Sequence, residues 1–352
     1  MTGSKRWIGR LLAALAACAL LVLTGLSVLL FKPYKGFSEA EKLILIPRGT
    51  SSYTIAHQLQ DEGVVQNWVL LFGYWKLLRK SPLQAGEYQF KGAASVYQVV
   101  EKLVRGLVYY HPLTIPEGYS LFEIEQLLKT KQFVDSGPFW TASCKTEWIA
   151  DLAPDAKNLE GYLFPDTYRV TRGTTAEEIL KLMVERFRRV VREQLEETVS
   201  QTEMTLKDVV TLASLIEEET SLDEERELIS AVFHNRLRRR MPLQCDPTVI
   251  YAARLSGTYR GTIYQSDLEM DSPYNTYRRQ GLPPGPIASP GLRSLQAAVN
   301  PAKVSYLYFV ANNQGGHVFS ETLAEHNRAV AAYRNGLRQE SRKPNRKTLQ
   351  PS

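Results

Sequence analysis

Residues 205–220 read Thr-Leu-Lys-Asp-Val-Val-Thr-Leu-Ala-Ser-Leu-Ile-Glu-Glu-Glu-Thr, and the rest of the chain can be read outward from them. Val209, Leu212, Ala213 and Ile216 recur at i, i+3, i+4 and i+7, the spacing of one buried helical stripe. The helix predicted over Thr205–Glu219 therefore closes on three consecutive carboxylates. At about 100° per residue, Glu218 points opposite the stripe and faces water, while Glu217 and Glu219 lie on its two flanks. Glu219 continues the row of Leu212 and Ile216, and Glu217 follows Val210 and Ala213. The final turn carries the negative end of the helix dipole, which disfavours a charged carboxylate. Partial burial acts in the same direction. A raised pKa weakens the helix end but suits a general acid near neutral pH. Taken alone, the triplet reads first as a solvated acidic helix end, and it is the aromatic loop, the Gly/Pro-rich loop and the apolar N-terminal run that favour the acid.

Downstream, Ser221-Leu222-Asp223-Glu224 has the spacing of a capping box that starts a second helix, running to about Arg239. Gln244-Cys245-Asp246-Pro247-Thr248 leads into a short helix to Ala253. A loop of about 25 residues, 266–291, follows; loops that long without structure of their own are usually functional. Helix 292–299, strands 305–311 and 317–320 around the turn Asn312–Gly316, and a helix 321–337 complete this part, the two strands reading as a β-hairpin. Upstream, Ser120 and Glu123 form another capping box before a helix 121–130. Residues 158–168 are an aromatic loop that reads as a contact surface or as a loop packed on the amphipathic helix 174–198 behind it. Short alternating strands and helices make a small α+β unit over 43–116. Its strand, Gly49-Thr50, and helix through Ile55 and Leu59 to Gly63-Val64 resemble a LysM motif. That unit is a glycan-binding module or a plain spacer.

Leu11–Phe31 is an uncharged run of 21 residues. As a helix it spans roughly 30 Å, the hydrocarbon thickness of a bilayer. Lys5, Arg6 and Arg10 precede it, which favours an N-terminus kept in the cytoplasm and a body on the far side. Two rivals are a lipoprotein signal at Leu15-Ala16-Ala17-Cys18 and a cleaved signal peptide. The expected organisation is a cytoplasmic N-terminus 1–10, transmembrane helix 11–31, linker 32–42, module 43–116, catalytic domain 117–337 and a basic, disordered tail 338–352. Hydrophobic residues at 44% and charged residues at 23% exclude wholesale disorder. The net charge of +6 resides largely in Arg338, Arg342, Lys343, Arg346 and Lys347, so the body carries no nucleic-acid footprint. Cys144 and Cys245 are either one disulfide or two buried thiols. The five histidines form no metal motif, so no metal and no cofactor is expected and activity should survive EDTA.

Hydrolysis of a glycosidic bond normally uses two carboxyl groups on opposite sides of the sugar. Glu217 and Glu219, roughly 200° apart round the helix, cannot easily flank one bond. A lytic route needs a single acid/base, because an internal hydroxyl replaces water. Ala213–Thr220 resembles the active-site helix of the endolytic murein transglycosylases of the MltG (YceG-like) family. Leu159–Tyr168, Asn235-Arg236-Leu237, Leu243–Tyr251, Tyr274-Asn275-Thr276-Tyr277, Gly281–Ile287, Asn300-Pro301-Ala302 and Tyr306–Val310 resemble that family in the same order. Two departures are Glu218, where relatives are often basic, and Cys245, where they are usually polar or small.

The resemblance covers roughly 43–337. It implies an α+β chain with a single N-terminal transmembrane helix, a small LysM-like module and a mainly helical, lysozyme-like catalytic domain carrying a β-hairpin. It implies a bacterial inner-membrane protein whose catalytic domain is periplasmic. Such a protein cleaves MurNAc-GlcNAc bonds within nascent glycan strands, leaves 1,6-anhydroMurNAc ends and terminates strand elongation, with a membrane-bound peptidoglycan synthase as partner. The family's Glu-x-Glu pair maps its second member, the general acid/base, onto Glu219 and leaves Glu217 as a supporting neighbour or second candidate. Helix geometry alone does not choose between them. Gln244, Tyr274, Asn275, Thr276, Tyr277 and Tyr162 are candidates for binding sugar, with loop-fixing hydrogen bonds as the alternative role. A hydrolytic muramidase and a non-catalytic peptidoglycan-binding scaffold for wall synthases are the competing functions.

Overall fold

The computed structural model describes residues 3–134 and 136–342. The chain divides into two compact units: residues up to Leu113 with Arg169–Thr174, and Thr114–Tyr168 with everything from Thr175 onward.

In the first unit, α1 (Gly3–Phe31) contains the apolar run, and its stretch Arg10–Phe31 is long and apolar enough to cross a bilayer. β1 (Lys42–Ile46) and β2 (Gly86–Phe90) pair antiparallel with Ile44 opposite Tyr88. The period of two sends Ile44 and Ile46 inward and Leu43 and Leu45 outward. Between the strands lie α2 (Ser52–Asp61) and α3 (Trp68–Tyr74); α4 (Val96–Val104) follows β2. Ser51, Asn67 and Ser95 cap these three helices through their side chains. Ile55, Leu59, Leu71, Val99 and Leu103 close over Tyr88 to form the core. The single helix predicted over 68–78 instead widens into a π turn at Trp75–Arg79. Lys80, in the left-handed conformation, donates its N–H to the Trp75 carbonyl at 2.8 Å, and the Trp75 indole donates to the Ser81 carbonyl at 2.7 Å. β3 (His111–Thr114) comes next.

The second unit holds α5 (Leu121–Thr130), α6 (Ser136–Ser143), α7 (Ala176–Gln194), α8 (Glu196–Ser200), α9 (Leu206–Glu219), α10 (Asp223–Arg238), α11 (Asp246–Leu255), α12 (Gln265–Leu268), α13 (Leu292–Val299) and α14 (Leu323–Arg342). β4 (Thr167–Val170), like β3, straddles the division of the chain, and β5 (Tyr308–Ala311) pairs antiparallel with β6 (His317–Ser320) as the expected hairpin. Thr205 caps α9 in a box with Asp208. The helix is not amphipathic as the stripe suggested. Every residue from Val209 to Ile216 is buried, with α10, α11 and α13 packed around it. Its two hydroxyl residues are tolerated because they are bonded: Thr211 to the Lys207 carbonyl and Ser214 to the Thr211 carbonyl, each at 2.7 Å. Ser214 also accepts the Ile287 N–H at 3.1 Å and so docks the Gly/Pro-rich loop on α9.

Other expectations move. Leu159, Tyr162, Leu163, Phe164 and Tyr168 are buried, so the aromatic loop is core and not a contact surface. Gly161, at φ +80°, lies so close to Pro286 and Val210 that a side chain there would clash, which explains the glycine. The long loop contains α12, and its residues 285–291 are buried. The helix predicted over 174–198 breaks at Leu195 into α7 and α8. The cap of α10 is Leu222 and not Ser221, because the Thr220 hydroxyl takes the Leu222 N–H at 3.0 Å. The last helix runs on through Arg342, while the tail residues Lys343, Arg346 and Lys347 lie outside the described residues. Cys144 is exposed and Cys245 buried, and both are free thiols.

Candidate active site

α9 stops abruptly at Glu219, since Thr220 is extended at φ −150° and ψ 141°. The stop leaves all three carboxylates at the rim of a cleft of about 620 Å³, which also takes in Glu117, Gly118, Tyr119, Glu123 and Arg226.

Glu217 is held on two sides. The Arg226 guanidinium lies 3.1 Å from one carboxylate oxygen, and the Gly291 N–H donates to the other at 2.8 Å. Both side chains of the ion pair are only 6% exposed, and Arg226 also bonds Asp223 and Ser294. Burial holds Glu117, beside this pair, above the ordinary carboxyl range, and the Glu217 charge adds to the effect.

Glu219 has a different environment. Burial raises its carboxyl to about 7, against a thiol hydrogen bond donated by Cys245 and the charges of His317 and Arg236; Asp246 pushes the same way as burial. Burial also raises the Cys245 thiol well above its usual value, and the Glu219 charge adds to the rise, so it is a neutral donor here. Arg236 donates to the carbonyls of Leu307 and Leu243, each at 2.7 Å, fixing the approach to the hairpin and the segment before α11. His317 is fixed by Glu225, which takes the His317 N–H at 2.7 Å and sits 2.6 Å from the ring Nδ1. The Thr220 hydroxyl reaches that same Glu225 at 3.2 Å, tying the hairpin to the residue after the acid.

Glu218 is exposed, as the helix arithmetic required, yet it belongs to the cleft. A Cβ on Gly118 would lie 2.9 Å from its Oε1, so its carboxyl folds toward that loop. Desolvation by the neighbouring loop raises it to about 7, and the charges of Glu123 and Glu217 add to the rise. Solvent reaches this side chain, which screens those terms more than at Glu219.

The six sugar-binding candidates separate. Gln244 is exposed with a strained φ of +50° and donates its backbone N–H to Thr276 at 3.2 Å. Asn275 and Thr276 are buried and hold the loop. Asn275 Nδ2 donates to the carbonyls of Leu268 and Met270, and Thr276 Oγ1 accepts the Cys245 N–H at 3.0 Å. The Tyr277 hydroxyl donates to Asp246, next to Glu219. Tyr274 packs at a tilt against Tyr251, ring centroids 5.0 Å apart, and Tyr162 is a core residue against Phe187. Of the six, Tyr277 lies within electrostatic reach of Glu219, and Gln244 is exposed and adjoins Cys245, the thiol donor to that acid. Sequence reasoning missed Glu160, a fully buried carboxyl raised to about 8 by burial. It accepts the Leu121 N–H at 3.1 Å and the Tyr251 hydroxyl at 3.0 Å.

Fold and site together define an α+β chain whose buried central helix delivers carboxyl groups to a polar cleft. The chain belongs to the YceG-like family, whose sequence profile matches residues 44–332. It is 37% identical over 321 residues to an endolytic murein transglycosylase of Bacillus subtilis, covering 86% of this chain and 88% of that protein. It is 31% identical over 332 residues to an endolytic murein transglycosylase of Streptococcus pneumoniae, spanning 60% of that longer protein. A crystal structure of a YceG-like protein from Listeria monocytogenes superposes with a TM-score of 0.56 at 34% identity, over 83% of this chain and 99% of that one.

Proposed function

We propose that the chain is a membrane-anchored lytic transglycosylase that cleaves the MurNAc-GlcNAc bond within peptidoglycan strands. The observation that carries this reading is Glu219: a carboxyl enclosed at the end of α9, raised to about 7, in an open polar cleft. Near neutral pH such a group both gives and takes a proton. Glu219 protonates the glycosidic oxygen as the bond to the anomeric carbon breaks. It then takes the proton of the C6 hydroxyl of N-acetylmuramic acid, which attacks that carbon and closes the 1,6-anhydro ring. Atoms balance without water. Glu217, neutralised by Arg226, shapes the cleft and holds the 285–291 loop in place. Gln244 and Tyr277 are the residues proposed to contact sugar. The relatives named endolytic murein transglycosylases support the substrate and the class of reaction.

The anchoring helix, an outward-facing body in the periplasm, strand termination and a membrane-bound synthase partner complete the reading. The first unit supports a LysM-like role, since β1, α2, α3 and β2 follow in that order with the strands antiparallel. Mass spectrometry of peptidoglycan digested by the pure chain in EDTA separates the possibilities. Anhydro ends support the lytic reaction, reducing ends mean hydrolysis, and an intact polymer means a binding scaffold.

A further inference from the structure

The last turns of α1 pack within the first unit. Leu23, Leu26 and Leu30 line an apolar groove of about 1020 Å³ together with Val69, Leu77 and Leu78. Leu23 to Phe31 covers roughly 12 Å of helix axis. If α1 spans a bilayer, a groove lined by α1 from Leu23 to Phe31 and by Lys32 beyond it runs from within the outer leaflet to its surface. The exposed surface there has the chemistry of that depth. Leu77 is 73% exposed, Leu78 69% and Val69 55%. Together with the apolar groove they border, these side chains form a contiguous apolar surface of the kind that marks an interaction site. Exposed Lys76 and Lys80 flank them, long enough to reach a phosphate layer while their stems lie in hydrocarbon. The Trp75 indole and Tyr74 add aromatic rings of the kind enriched at membrane interfaces.

We propose that Val69–Leu78 is immersed in the outer leaflet and that phospholipid acyl chains fill the groove it shares with α1. This rests on the membrane-anchored reading above and goes beyond it: the first unit is seated in the bilayer by a second element and does not swing on a tether. Basic residues over apolar ones fit anionic lipid best.

The test places a photo-crosslinking benzoylphenylalanine at Leu77, Leu78, Leu20 or Leu255 of the full chain in nanodiscs of phosphatidylglycerol and phosphatidylcholine. Lipid adducts at Leu77, Leu78 and Leu20, with none at Leu255, are the expected result. Adducts at Leu20 alone, or crosslinks at Leu77 and Leu78 only to a second copy of the chain, overturn the proposal and leave the anchor standing. No lipid adduct at Leu20 overturns the anchor itself, and the proposal falls with it.

Discussion

Two carboxyls in the cleft stand near 7, and only their surroundings distinguish them. Glu219 is enclosed and faces Cys245, while Glu218 is open to water. Glu219→Gln keeps the shape and removes the proton, so anhydro product should fall by about 10²–10⁴, the usual worth of general acid–base catalysis. Its fold should persist, since a neutral amide is easier to bury than a carboxylate. Glu218→Gln should lower the rate by less than about tenfold, the difference between a screened and an enclosed group. A dead Glu218→Gln beside an active Glu219→Gln would reverse the assignment. The pH profile gives a separate check. The acid must start protonated, so kcat/KM should decline as pH rises through about 7, the raised value at Glu219. Cys245→Ala removes a donor that holds this pKa down, so the alkaline limb should move to higher pH; an unmoved limb would mean the thiol does not touch the acid.

At the scale of elements, α9 was legible because an apolar stripe at helical spacing runs straight into a carboxylate end. Its burial on every side was not, because Thr211 and Ser214 look polar until their bonds to the helix backbone are seen. The hairpin was also legible, from its Asn312–Gly316 turn between two apolar strands. Glu160 was not: its partners Leu121 and Tyr251 lie 39 and 91 residues away in sequence, and no local pattern announces them. Tyr162 was misread for a related reason, since an aromatic loop looks the same on a surface as in a core. The pairing of Glu217 with Arg226 likewise appears only once α9 and α10 fold against each other. Because both side chains are almost fully covered, Arg226→Met should cost about 3–5 kcal/mol by leaving a buried carboxylate without its partner. Glu217→Gln keeps an acceptor for the Gly291 N–H and should cost less. Urea unfolding of the two variants measures the difference, and equal midpoints would show that the pair is not a structural clamp.

For the whole molecule, the proposed topology places the cleft outside the cytoplasm, on the strength of one N-terminal helix long and apolar enough to cross a bilayer. A reporter fused after Ser352 should be active only outside the cytoplasm, and cytoplasmic activity would remove both the topology and the substrate. The buried carboxyls set how the fold responds to pH. Glu160 stands at about 8, far above its unfolded range near 4.5, so the native state holds a proton that the unfolded chain releases. A carboxyl raised in this way gives stability that is whole below about 4.5 and is lost as pH rises through about 8. The slope for one such group is at most about 1.4 kcal/mol per pH unit. Stability should therefore fall between pH 5 and 8, opposite to the trend of a protein held by salt-bridged carboxylates. Glu160→Gln offers Leu121 an acceptor and does not titrate, so its denaturant midpoints should fall less steeply over that range than those of the parent chain, the remaining fall coming from Glu218 and Glu219. If the variant declines as steeply as the parent, Glu160 is not the group that links this fold to pH.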